Sequence, residues 1–130
     1  MLRDEERLAL FVEVHRAVAE ASTRAAGTVG VPNLRADLAY PPGTQLSEGE
    51  LAALRGINLT PDARSALQKV IADACSAAFF RMFTVMDGVG DPEDWSGEVW
   101  QGVSLGPKPE HDEPMLHDEF FESYWQYKEG

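Results

Sequence analysis

The chain is short of the residues on which covalent or metal chemistry is most easily recognised. Its one cysteine, Cys75, rules out an intramolecular disulfide, so the core alone must hold the 130 residues together. A lone mid-helix thiol also fits a reducing compartment, and we expect a cytoplasmic protein. No apolar run approaches the ~18 residues that a membrane span needs. The amino terminus, MLRDEERLALF, carries charges where a signal peptide needs an apolar core. The glycines form neither a phosphate-binding loop nor a dinucleotide fingerprint, and there is no Gly-x-Ser-x-Gly elbow and no His-Glu-x-x-His pair.

Positive charge is also scarce, with 11 Lys and Arg against 22 Asp and Glu and a net charge of −11. The imbalance is uneven. Residues 1–90 hold eleven acids and nine bases, for −2, whereas residues 91–130 hold eleven acids and only Lys108 and Lys128, for −9. A surface of that sign repels phosphate backbones and anionic lipid, so nucleic acid and membranes are not expected as partners. It attracts a basic protein.

The remaining sequence is rich in helical signals. Thr60-Pro61-Asp62 opens a helix in chemical terms: a hydroxyl for an orphan N–H, a proline at the first helical position, and an acid at the positive dipole end. Gly88, Gly90 and Pro92 close it, which predicts a helix over 60–87. Its first half has one apolar face, through Ala63, Leu67, Val70, Ile71 and Ala74; from Ala74 to Met86 it is apolar nearly all round, which predicts cover on several sides. Arg81 is the exception there, its stem expected to run along the apolar surface to water or a carboxylate. Residues 3–26 predict a second long helix with the stripe Leu8, Phe11, Val12, His15, Val18 and Ala19, and with i,i+4 pairs Arg16–Glu20 and Glu20–Arg24 outside it. His15 reads as a core or boundary residue rather than a ligand.

Between the long helices, Pro32, Pro41 and Pro42 exclude helix from most of the segment after Gly27, and the alternation over 34–40 permits a short strand or an extended segment laid on the core. Ser47 with Glu50 forms a capping box for a short helix over 47–55. Beyond Gly90, the acidic turn Asp91-Pro92-Glu93-Asp94-Trp95 leads into EVWQGVSL, whose alternation predicts a second strand able to pair with 34–40. The chain ends in a predicted helix over 117–127 carrying five of the twelve aromatics, a face that must pack on something, with the apolar half of the central helix as the expected partner. The expected fold is therefore mainly α, a single small domain spanning 1–130 around two long helices, with a minor β-hairpin and an aromatic C-terminal helix.

For function, the reading favours a cofactor-free acidic binding module that occludes a basic protein surface, in the manner of bacterial immunity proteins, antitoxins or inhibitors. Asp91, Glu93, Asp94 and Glu98 would steer the encounter, and Trp95 and Trp100 would anchor it. Two alternatives belong to other classes. One is a metal-dependent hydrolase using His111, His117 and Asp118, residue types that bind zinc but here lack a recognised ligand spacing. The other is a structural homodimeric subunit with the aromatic helix buried against its own copy.

Overall fold

A computed structural model describes residues 4–32, 34, 38–93, 95–103 and 116–129, with the side chains of Asp118, Glu122 and Tyr127 excepted. Four helices occur among the described residues: α1 (Asp4–Thr28), α2 (Glu48–Gly56), α3 (Pro61–Met86) and α4 (Leu116–Glu129). The chain divides into two compact units, one of Met1–Thr28 with Leu59–Gly106, the other of Val29–Asn58 with Pro107–Gly130.

In the first unit α1 and α3 form an antiparallel pair. Phe11 meets Phe83 edge to face with ring centroids 5.5 Å apart, while Gln68 Nε2 donates to Thr23 Oγ1 at 2.9 Å and Arg64 Nη1 donates to the Ala26 carbonyl. The contacts thus advance along α1 as they recede along α3. The Arg64 bond also completes α1 electrostatically. No basic residue lies in the last turn of α1, and the guanidinium brought by the first turn of α3 supplies the cation that the negative dipole end favours.

The face that α1 turns to α3 shares only Phe11 and Val18 with the stripe its sequence advertises. The inward side is Leu10, Val14, Val18, Ala21, Ser22, Ala25 and Ala26, with Ser22 and Ala26 fully buried, whereas Leu8, Val12, His15 and Ala19 are exposed. The small residues decide this. Ala21, Ser22, Ala25 and Ala26 let α3 approach closely, and Ser22 satisfies its hydroxyl by donating to the Ala19 carbonyl at 3.1 Å. The charge pairing differs as well, since Arg16 Nη1 reaches back to Glu13 at 2.9 Å. The cover expected around the apolar half of α3 is one-sided: Phe79 and Phe83 are half-buried, but Phe80 is 71% exposed.

No strand occurs among the described residues, so the expected β-hairpin finds no support there. Residues 98–103 bond back to the end of α3 instead, through Val103 N–H to the Met86 carbonyl at 2.9 Å. Leu34 and residues 38–40 are irregular, and 33, 35–37, 104 and 105 lie outside the described residues.

In the second unit the capping box forms as its residues predict. Glu50 N–H donates to Ser47 Oγ at 3.1 Å, and Ser47 N–H donates to Glu50 Oε1 at 2.9 Å. Those two bonds, the backbone one foremost, lower the Glu50 pKa below its ordinary value. Arg55 Nη2 donates to the Leu34 carbonyl at 2.9 Å and Gly30 N–H to the Leu54 carbonyl at 2.9 Å, which holds the buried Leu34 segment to the end of α2. The aromatic face of α4 packs on Tyr40, whose ring is 6.0 Å from Phe120, nearly parallel to it, and 5.5 Å from Tyr124, edge to face.

Candidate partner-binding loop

The loop that follows α3 is built on the carbonyls that the helix end leaves free. A helix terminates with four C=O groups lacking intrahelical donors. In α3 these belong to residues 83–86, and each is satisfied. Asp87 N–H donates to Phe83 O at 2.8 Å, Val89 and Gly90 N–H both donate to Thr84 O at 3.0 Å, and Gly88 N–H donates to Val85 O at 3.1 Å. With Gly88 in the left-handed region (φ +75°), this is a complete Schellman cap. Met86 O is taken by Val103, and Val85 O accepts a second bond from Trp100 Nε1 at 2.7 Å.

Gly102 permits this return of the chain. Its φ is +85°, and a Cβ there would lie 2.3 Å from Met86 O and 2.9 Å from Gly88 N. The backbone of 101–102 packs directly on the cap, an approach open only to glycine. Arg81 supplies a further tie, its Nη2 donating to the Asp91 carbonyl at 3.3 Å.

The two tryptophans stand on this base. Trp100 is half-buried and pinned by its N–H to the helix end. Trp95 packs edge to face on it, centroids 5.1 Å apart, and donates its own N–H to the Glu98 carbonyl at 2.7 Å. A turn closed by Trp95 N–H to Pro92 O at 3.1 Å sets the approach. Both indole donors are thus spent internally, yet Trp95 remains 51% exposed. The result is an aromatic face held in one orientation.

Of the acids named from sequence, Asp91, Glu93 and Glu98 are exposed on this loop, together with the helix-capping Asp87; Asp94 lies outside the described residues. The negative end of the α3 dipole adds to their field. Of the candidate metal residues only His117 has a described side chain. His117 is exposed in the first turn of α4, His111 and the Asp118 side chain lie outside the description, and no three His, Cys, Asp or Glu side chains gather among the described residues. Cys75 is half-buried within α3. No helix among the described residues is long and apolar enough to cross a membrane.

Sequence reasoning missed a second feature. Between α1 and α3 runs an apolar groove of about 290 Å³, walled by Phe11, His15 and Val18 on one side and Phe79, Phe80 and Phe83 on the other. Its signal was present in the all-round apolarity of Ala74–Met86, which two helices alone cannot cover. No family model, curated protein or solved structure matches the chain.

Proposed function

We propose that this is a binding protein whose loop after α3 docks on a basic surface of another protein and occludes it. The observation that supports this most directly is the state of Trp95: half of the residue's surface faces solvent while its edge-to-face partner Trp100 and its N–H bond fix its orientation. An aromatic anchor already held in place loses little rotamer freedom on binding. Exposed tryptophans in that condition are the usual energetic centres of protein interfaces. Asp91, Glu93 and Glu98 around it are suited to steering and to rim contacts rather than to buried pairs. Neutralisation of a basic effector, as an immunity protein, antitoxin or inhibitor does it, is the form of this function that suits the charge.

The test is affinity capture from the native extract at low and high salt, using the wild type beside Trp95→Ala and a Glu93→Lys/Glu98→Lys variant. A basic protein retained by wild type, lost with Trp95→Ala and released by salt supports the reading and identifies the target. Retention of the same protein by the wild type and both variants would overturn it.

A further inference from the structure

We propose that the α1/α3 face is the interface of a symmetric dimer, in which Phe80 of each copy seats in the groove of the other. A two-fold interface uses one patch twice, so that patch must carry both a projection and a hollow to receive it. This face has both. Phe80 is the most exposed aromatic ring of the described chain at 71%, and it stands at the edge of the ~290 Å³ groove. A dry cavity of about 150 Å³ already accepts benzene, so a groove of about 290 Å³ has room for a phenyl ring over the Phe11–Phe83 pair.

Three further observations favour a second copy over another occupant. The α1/α3 pair needs cover, because Ser22 and Ala26 are its only fully buried residues among those described, while Leu8 at 64% and Val12 extend the exposed apolar stripe. Its size suits a dimer. Helices of ~25 residues at 1.5 Å each, with axes ~9 Å apart, offer a face of about 700 Å² per copy. A standard interface takes about 800 Å² per partner. Its charge permits self-contact where the rest of the chain does not. α1 carries five acids and three bases, for −2, and α3 two acids and three bases, for +1, so laying α1 of one copy over α3 of the other sets unlike charges together. A basic partner, by contrast, finds no carboxylate in the groove wall.

This inference is independent of the tryptophan loop, and one experiment separates them. Sedimentation equilibrium of the full chain at about 50 µM should give twice 14.3 kDa. Phe80→Glu and His15→Glu, both at exposed helical positions, should each raise the dimer dissociation constant at least about a hundredfold, with circular dichroism verifying that helix content is kept. Trp95→Ala should leave the dimer intact. A monomeric wild type, or a dimer that neither substitution moves, overturns the proposal. Should Phe80→Glu fail to fold, His15→Glu alone decides.

Discussion

Two glycines carry opposite expectations. At Gly102 a methyl group would collide with Met86 O in a backbone that L-residues avoid, so Gly102→Ala should destabilise the fold by at least about 2 kcal/mol. At Gly27 a Cβ would meet nothing within 4 Å and the residue lies inside α1, so Gly27→Ala should stabilise by about 0.5–1 kcal/mol. Urea denaturation of both variants beside wild type checks the pair, and equal effects would refute the account. Glu50 gives a third expectation at this scale. Its pKa is depressed in the folded state by the Ser47 bonds, so its contribution is fully present above the ordinary value of 4.5 and is lost as pH falls through the lower folded value. An NMR titration should show the Ser47 amide proton following Glu50 below 4.5, and Glu50→Gln should abolish that response.

Among elements, the ends of helices were legible and their faces were not. Thr60, Pro61 and Gly88 mark α3, and Ser47 and Glu50 mark α2, because a cap is decided by atoms within a few residues of one another. The inward face of α1 was misread because two apolar stripes compete there, and only the close approach of Arg64 and Gln68 selects the small-residue one. Over its described part, 98–103, the expected strand does not form, for a related reason. Val99, Gln101 and Val103 alternate, but the carbonyl that Val103 finds belongs to a helix end, and the isolated Gly102 was the sign of close backbone approach. In the candidate site, the Trp95 and Trp100 positions were legible as residue types, whereas their stacking and the apolar groove depend on contacts distant in sequence. Two substitutions test these element-level contacts. Arg64→Met leaves the Ala26 carbonyl without its guanidinium donor and should cost about 1–3 kcal/mol in thermal or urea unfolding. Trp100→Phe keeps a ring but removes the N–H to Val85 O. That carbonyl still accepts from Gly88, so the cost should be only about 1 kcal/mol, accompanied by faster hydrogen exchange at the Val103 amide.

At the level of the molecule, charge separates the two proposed surfaces, because −9 of the −11 falls in residues 91–130 while α1 and α3 together carry −1. Exposed charges are screened over about 8 Å at physiological ionic strength and over about 3 Å at 1 M. Capture of a basic partner through Asp91, Glu93 and Glu98 should therefore slow steeply as salt rises, with the association rate changing more than dissociation. The dimer should respond in the other direction or not at all. Apolar burial at Phe80, Phe11 and Val18 is unaffected by screening, and salt weakens the residual repulsion between two acidic copies. Sedimentation equilibrium at low and high salt, run beside association kinetics with the captured partner, reads both responses on one preparation. A dimer that dissociates as salt rises would mean that the pairing of α1 with α3 charges, rather than apolar burial at Phe80, holds it.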